Sequence, residues 1–284
     1  MSRLEQLLQI MRRLRDPQAG CPWDRQQSFA SIAPSTLEEA YEVVDAIERG
    51  EHGETLRDEL GDLLFQVVFH AQMAAELGSF DFEAVAGAIC DKLVRRHPHV
   101  FGDASAPDAA GQSLQWEALK SQERAAAAGG RVPSELEGVA RALPALTRAV
   151  KLSRRAARVG FDWQEPRQTA DKVAEELAEV LEASAELDPP GRQAGSGRIS
   201  AHLFEEVGDL LFAVANLARK LEVDPECALR AANSKFERRF RHIERSLLRA
   251  GENIHATPLA RLEALWEEAK RQEGPAQGAS LNSG

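Results

Sequence analysis

The feature that most constrains the fold is a nine-residue phrase that occurs twice, as RDELGDLLF from Arg57 and as FEEVGDLLF from Phe204. Each copy sets an aspartate inside an apolar run, and a glutamate stands three residues before that aspartate. The pairs are Glu59 with Asp62 and Glu206 with Asp209. Repetition of so unusual a pattern in one register indicates that a whole structural module is duplicated.

Five segments match in the same order on either side of a break near residues 129–133. The first half contains CPWDRQQSF, TLEEAYEVVDAI, RDELGDLLF, KLVRRHPHVF and QWEALKSQE, and the second contains GFDWQEPRQ, VAEELAEVLEA, FEEVGDLLF, KFERRFRHIE and LWEEAKRQE. A chain of 284 residues is long enough for two such cores. We predict an N-terminal domain at 1–125, a linker at 126–137, a C-terminal domain at 138–272 and a flexible tail at 273–284. The DPPGRQAGSGR segment is expected to lengthen one loop of the second domain.

Apolar residues recur at helical spacing and seldom alternate as they do in strands. One stripe opens the chain, and another runs along the first acidic segment. Their members are Leu4, Leu7, Leu8, Met11 and Leu14, then Leu37, Tyr41, Val44 and Ile47. The spacing predicts an all-α fold, with the N-terminal stripe on a surface helix of the first domain.

Charge and cysteine content argue against several classes of protein. With 45 acidic and 35 basic residues, the formal net charge of -10 argues against binding nucleic acid through phosphate attraction. The three widely spaced cysteines, Cys21, Cys90 and Cys227, predict neither a disulfide framework nor a thiolate zinc site. The cysteine pattern fits a reducing cytoplasm, and the longest apolar runs are too short to span a bilayer, so we expect a cytoplasmic protein without a membrane partner.

The acids of each copy are spaced so that they share helix faces, because residues three apart on a helix have Cβ atoms about 5–6 Å apart. An E-E-x-x-E helix precedes each E-x-x-D helix; its acids are Glu38, Glu39 and Glu42, then Glu175, Glu176 and Glu179. Antiparallel packing would gather four carboxylates, whose repulsion calls for a cation. Oxygen-only ligation favours Mg²⁺ or Mn²⁺, because calcium loops and di-iron bundles use other spacings. A solvated acidic face is the alternative, and the duplication favours the metal site.

Basic and aromatic residues follow the acids in both copies. They are Lys92, Arg95, Arg96, Trp116 and Lys120, then Lys235, Arg238, Arg239, Trp266 and Lys270. Cations three or four apart share a face that suits a polyphosphate, and a Trp with a Lys four residues later can bracket a nucleoside. A salt-bridged surface helix and a core Trp are the alternatives. Trp23 and Trp163 mark the entrance to each first acidic helix.

The chain resembles the MazG nucleoside triphosphate pyrophosphohydrolases in a succession of three motifs: E-E-x-x-E, then E-x-x-D within GDLLF, then K-x-x-R-R. The resemblance extends from residue 1 to about 272 through three further phrases, GCPWD, RRHPHVFGD and GFDW. It implies an all-α fold of tandem duplicated MazG-like modules, with four-helix-bundle cores formed with a dimer partner. It also implies a homodimer that uses Mg²⁺, with Mn²⁺ as a possible substitute, to split an NTP into NMP and pyrophosphate. Nucleotide-pool cleansing or regulation would be its role. A nucleotide-binding sensor acting through a protein partner is the alternative function.

The resemblance also implies roles for individual residues. The implied metal ligands are Glu39, Glu42, Glu59 and Asp62 in the first copy and Glu176, Glu179, Glu206 and Asp209 in the second, where these acids and Glu175 form the catalytic set. The implied nucleotide contacts are Lys92, Arg95, Trp116 and Lys120, then Lys235, Arg238, Trp266 and Lys270. We expect the second copy to dominate turnover, because Pro98 should end the basic helix of the first copy just after Arg96.

Overall fold

A computed structural model of the protein describes residues 1–102, 111, 119, 123, 129–185 and 200–273. Throughout this described part the regular structure is helical, which confirms the all-α prediction. The chain divides into two compact units, Met1–Glu123 and Arg124–Gly284. The predicted loop insertion and the tail beyond Glu273 lie outside the described residues. None of the described helices is both long enough and apolar enough to cross a membrane.

The first unit begins with an amphipathic helix that packs on the fourth helix of the chain. Its helices are α1 (Arg3–Leu14), α2 (Pro22–Gln26), α3 (Phe29–Glu48), α4 (Glu54–Glu76), α5 (Phe82–Arg96) and α6 (Pro98–Phe101). Ser28 starts α3 because its hydroxyl accepts a hydrogen bond from the amide of Ser31. The basic helix α5 ends at Arg96 before Pro98, as predicted.

The core of the first unit lies between α1 and α4, where Met11 and Phe69 are fully buried. Arg15 closes one side of this core: its guanidinium lies 5.4 Å from the centre of the Phe69 ring and binds Glu76 at 2.6 Å. It also donates to the carbonyl of Asp24 at 2.5 Å. The same side chain therefore fixes α4 and the short helix that carries Trp23.

The second unit also contains an acidic helical pair. One helix precedes this pair along the chain and two helices follow it. Its helices are α7 (Ala145–Arg158), α8 (Pro166–Ala185), α9 (Ala201–Lys220), α10 (Pro225–Ala250) and α11 (Leu259–Glu273), with a 3₁₀ turn at Ile254–Ala256. The basic helix α10 has no break, in contrast to α5, as the sequence indicates. It ends at Ala250 and is capped by Gly251, whose φ of 70° is the left-handed conformation that favours glycine.

The second helix of each acidic pair leaves an apolar stripe uncovered within its own unit. The stripes are Leu60, Leu64 and Val67 on α4 and Val207, Leu211 and Val214 on α9. All six side chains are between 37% and 53% exposed. They occupy equivalent positions in the two copies of the helix that carries GDLLF. An apolar surface repeated in register is characteristic of a surface that packs against another element.

Candidate metal centre

Helices α3 and α4 form an antiparallel pair that gathers the acids of the first unit. Thr36 contacts His70 at 2.9 Å, and the Gln66 amide donates to Glu39 Oε1 at 3.4 Å, so successive residues of α3 meet preceding residues of α4. Beside this contact, Glu39 and Glu42 of α3 and Glu59 of α4 each offer one carboxylate oxygen. These three oxygens lie within 4.8 Å of one another. We call this group the first cluster.

The second unit contains the same arrangement on α8 and α9. Glu176, Glu179 and Glu206 place one carboxylate oxygen each within 4.8 Å of the others, and we call them the second cluster. These residues occupy the positions of Glu39, Glu42 and Glu59 in the repeated motifs. The structure thus brings together three of the four predicted ligands in each unit.

The fourth predicted ligand of each unit lies one turn further along its helix and is exposed: Asp62 on α4 and Asp209 on α9. Asp62 is still close enough for its charge to act on Glu39. Glu175 is also exposed and pairs with Lys172 at 2.7 Å. In each unit the described cluster therefore has an inner set of three glutamates, with the aspartate at its edge.

Crowding perturbs the titration of these carboxyls. Burial raises the pKa of Glu39 above its ordinary value, and the adjacent Glu42 and Asp62 raise it further. Burial likewise raises the pKa of Glu179, with a contribution from the charge of Glu176. Both shifts have the direction expected where carboxylates lack sufficient positive charge.

The donor set of the clusters fits a hard divalent cation. Its carboxylate oxygens are the atoms that Mg²⁺ and Mn²⁺ prefer, and both helices of each pair supply them from a fixed backbone. In the first unit the side-chain oxygen of Gln66, Oε1, is buried beside Glu39. It has no hydrogen-bond partner within the described structure. Buried polar atoms are normally satisfied, and an acceptor without a donor beside the cluster is compatible with a bound cation or its water.

The two clusters differ in the side chains that contact their acids. In the second unit Lys172 Nζ lies 2.7 Å from Glu176 Oε1, and His202 Nε2 lies 3.1 Å from Glu206 Oε1. Glu175 and Glu176 raise the pKa of Lys172 above its ordinary value. Ser35 and Thr55 stand at the equivalent positions of the first unit, where the described partner of Glu39 is the neutral amide of Gln66.

The predicted nucleotide contacts of the second unit lie on α10 and α11. Glu273 binds Arg239 at 2.7 Å and Arg238 at 3.5 Å. Arg239 also lies 5.5 Å from the centre of the Trp266 ring. The hydrogen bond from Arg239 is the largest of the causes that lower the pKa of Glu273, and nearby Lys235 contributes through its charge. Lys235 is exposed, and Lys270 pairs with Glu267 at 2.8 Å.

The first unit repeats the arginine clamp on α5. Glu123 binds Arg96 at 2.5 Å and Arg95 at 2.7 Å, and these two arginines lower its pKa to about 2. Lys92 on the same helix is exposed, whereas Trp116 and Lys120 lie outside the described residues. Among the described residues of either unit, no ion pair joins these basic side chains to the acidic cluster.

Sequence reasoning missed four of the residues that organise these sites: Lys172, Gln66, Glu123 and Glu273. The two glutamates had a detectable signal, because each stands seven residues after the Trp and ends a matched segment. Lys172 also had one, since it precedes Glu176 by four residues and so lies on the same helix face. Gln66 had none, because Ala213 replaces it in the second copy.

Comparison with known proteins agrees with this geometry. Residues 27–101 and 164–244 each match the model of the MazG nucleotide pyrophosphohydrolase domain. The chain belongs to the MazG family. The two MazG segments contain both acidic clusters and both arginine pairs, whereas Trp266 and Lys270 lie beyond the second segment.

The MazG relatives match over nearly the whole chain. The nucleoside triphosphate pyrophosphohydrolase of Escherichia coli is 52% identical over 273 residues, covering 96% of this chain and 99% of the relative. The nucleoside triphosphate pyrophosphohydrolase/pyrophosphatase MazG of Thermotoga maritima is 42% identical, covering 94% and 95%. The uncharacterized protein YabN of Bacillus subtilis is 39% identical over 93% of this chain, which corresponds to 51% of YabN.

The raised pKa of Glu39 makes a testable prediction about this MazG fold without metal. A carboxyl whose pKa is higher in the folded state stabilises the protein below its unfolded pKa and loses that contribution as the pH rises through the folded value. Glu39→Gln should therefore raise the melting temperature in EDTA at pH 7 and have little effect near pH 4. Thermal unfolding at the two pH values measures the difference.

The matched control is Glu38→Gln, the same substitution at the neighbouring exposed position of α3. It should not reproduce the pH-dependent gain. An equal gain from both variants, or a loss of stability from Glu39→Gln at pH 7, would contradict the assignment of repulsion to the cluster.

Proposed function

We propose that the chain is a Mg²⁺-dependent nucleoside triphosphate pyrophosphohydrolase, which converts an NTP and water into an NMP and pyrophosphate. The observation that carries the proposal is the pair of three-glutamate clusters, each within 4.8 Å, at the acid positions of the two MazG segments. Full-length relatives with this activity in their names support the reaction. Its role would be cleansing or regulation of the nucleotide pool, and a cytoplasmic location suits its three widely spaced cysteines.

The ligands we propose for Mg²⁺, or Mn²⁺ in its place, are the glutamates of each cluster together with the nearby aspartate. They are Glu39, Glu42, Glu59 and Asp62, then Glu176, Glu179, Glu206 and Asp209. Mg²⁺ held by these carboxylates would supply the positive charge that offsets the charge of the triphosphate and makes its phosphorus more open to attack by water. The helices hold the carboxylates in place before substrate arrives, so no rearrangement is needed to offset the charge of the triphosphate.

The proposed nucleotide contacts of the second unit are Lys235, Arg238, Trp266 and Lys270, on the neighbouring helices α10 and α11. Arginine pairs suit phosphate oxygens because the guanidinium offers several fixed donors. In this structure Glu273 binds Arg238 and Arg239, which keeps these cations oriented on α10. We assign the equivalent contacts of the first unit to Lys92, Arg95, Trp116 and Lys120.

We further propose a homodimer in which each acidic helix pair completes a four-helix bundle with a pair from a second copy. The support is the exposed apolar stripe of α4 and its equivalent on α9. Two helices bury one face of each other, and a second pair would cover these stripes as in other four-helix bundles.

The 1–125 and 138–272 domains remain our assignment. Arg155 of α7 binds the carbonyls of Glu135 and Glu137, at the end of the proposed linker.

The products and the metal requirement test the reaction. With a panel of canonical and damaged NTPs, chromatography should show NMP and pyrophosphate in equal amounts. Excess EDTA should abolish turnover, and Mg²⁺ or Mn²⁺ should restore it because oxygen ligands suit them. Zinc should restore it poorly, since its preferred nitrogen and sulfur ligands are missing from the cluster. NDP and phosphate as the main products, or full turnover in EDTA, would overturn the proposal.

Single substitutions test which unit dominates. Glu179→Ala should lower the rate at saturating Mg²⁺ and NTP by at least about a hundredfold, because a cluster that loses a ligand positions even a bound metal poorly. The matched Glu42→Ala change should leave at least about half of the rate. The basis is the unbroken α10, which fixes the cations of the second unit, whereas α5 ends at Arg96. Equal losses from two folded variants would show that both units contribute alike.

Light scattering coupled to gel filtration tests the dimer. The protein should have twice its chain mass of 31.1 kDa. Leu211→Glu should reduce it to a monomer, because a charge in the apolar stripe cannot be buried against a partner. Leu248→Glu is the control, since Leu248 is 80% exposed at the end of α10 and outside the stripe. A wild-type protein of single-chain mass would exclude the proposed bundle.

A further inference from the structure

The two units fill equivalent core positions with side chains of opposite character. In the first unit α1, α3 and α4 share one buried apolar cluster, which consists of Met11, Ile32, Val68, Phe69 and Met73. The acid motifs align α3 with α8 and α4 with α9, and the Arg-Arg doublet near the end of α1 aligns with that of α7. At the same positions the second unit has Ser153, Thr169, Ala215, Asn216 and Lys220. Four of these five residues are polar.

Three of the polar side chains are buried in the second unit. Thr169 is fully buried, and Ser153 and Asn216 are 8% and 5% exposed. The hydroxyl oxygens of Thr169 and Ser153 have no hydrogen-bond partner among the described residues. A buried hydroxyl that makes no hydrogen bond opposes folding, and nearly all such groups bond either to the protein or to ordered water.

Asn216 belongs to a polar network that reaches the core from the GFDW segment. Arg219 Nε donates to Asn216 Oδ1 at 2.8 Å, and the same guanidinium binds Asp162 at 2.6 Å. Asp162 also binds Lys220 at 3.3 Å, at the position where the first unit has a methionine. The amide nitrogen of Asn216 carries two hydrogens, so this residue can also donate toward an acceptor in the core.

The second core contains less side-chain volume than the first. Serine, threonine, alanine and asparagine replace methionine, isoleucine, valine and phenylalanine, and each replacement is the smaller side chain. The helices pack in the same pairs, because α7 and α8 both contact α9 as α1 and α3 both contact α4. Direct closure of these helices would leave the two hydroxyls unpaired. A polar site with several hydrogen-bonding groups is where proteins hold buried water.

We propose that ordered water is bound in the core of the second unit, where it bridges the hydroxyls of Ser153 and Thr169 and joins them to the amide of Asn216. This inference goes beyond the proposed function and does not depend on it. Thr169 precedes Glu176 by seven residues, or two turns, on α8. The bound water therefore fixes the helix that carries the inner acid of the second cluster, a role that apolar packing fills in the first unit.

Thr169→Val tests the proposal in the full chain, because valine has the shape of threonine without its hydroxyl. Loss of a hydrogen bond to water should lower the protection of α8 and α9 amides against hydrogen exchange about fivefold. The amides of α3 and α4 are the internal control and should keep their protection. Unchanged or increased protection of α8 and α9 would overturn the proposal, since removing an unpaired hydroxyl would stabilise the unit.

The matched comparison is made at Ile32, which occupies the position of Thr169 in the first unit. Ile32→Thr should give α3 and α4 at least about fivefold less protection than Ile32→Val, because the apolar cluster offers a hydroxyl no partner. Threonine would thus be preferred over valine in one unit and disfavoured in the other. The same preference at both positions would contradict a difference in hydration.

A double variant and a crystal structure test the bridge itself. Ser153→Ala combined with Thr169→Val should lose less protection than the sum of the two single losses, because one bridge is removed only once. A structure of the full chain at about 1.5 Å should show a water oxygen within about 3 Å of both hydroxyls. Additive losses, or hydroxyls bonded only to protein atoms, would refute the bridge. None of these measurements depends on turnover, so a chain without pyrophosphohydrolase activity would refute the proposed function and leave this inference standing.

Discussion

Repulsion among carboxylates held on two facing helices is the constraint on which the structure depends. In each unit three glutamates bring their oxygens within 4.8 Å of one another, a distance at which unscreened like charges oppose folding. The core beneath α4, with Phe69 fully buried, holds the first pair of helices in a register that the acids themselves disfavour. A fold that maintains such a cluster is suited to a ligand that carries concentrated positive charge.

The two units meet this constraint differently. In the second unit Lys172 and His202 each bind one acid of the cluster. In the first unit the amide of Gln66 contacts Glu39, and its own carbonyl oxygen has no partner in the described structure. Duplication has therefore preserved the glutamates while the surrounding charges diverged. That divergence, together with the unbroken α10, is the physical basis of our prediction that the two units contribute unequally.

Much of this architecture could be predicted from sequence, because the strongest signals are local. Helical periodicity gave the all-α class, the break at Pro98 limited α5, and the i, i+3 spacing of acids placed Glu59 and Glu206 on the inner faces of their helices. The repeat itself supplied the register between the two units. These features depend on backbone geometry, which neighbouring residues largely determine.

The contacts that could not be predicted depend on which side chains meet across helices. The apolar stripe containing Leu37 and Tyr41 was identified, but a stripe does not reveal its partner, and both residues are nearly half exposed in this chain. Asp209 lies in an apolar run and is nevertheless exposed, because the side of α9 that carries it is not covered within the unit. The clamp on Arg239 by Glu273 joins two helices, and one sequence offers many such pairs.

The central claim, that each acidic cluster is a divalent metal site, is tested most directly by anomalous diffraction from crystals grown with Mn²⁺. The account predicts anomalous peaks about 2.1 Å from carboxylate oxygens in both clusters. The oxygens would belong to Glu39, Glu42 and Glu59 in one unit and to Glu176, Glu179 and Glu206 in the other. Fully occupied Mn²⁺ sites elsewhere, with both clusters lacking a peak, would contradict it.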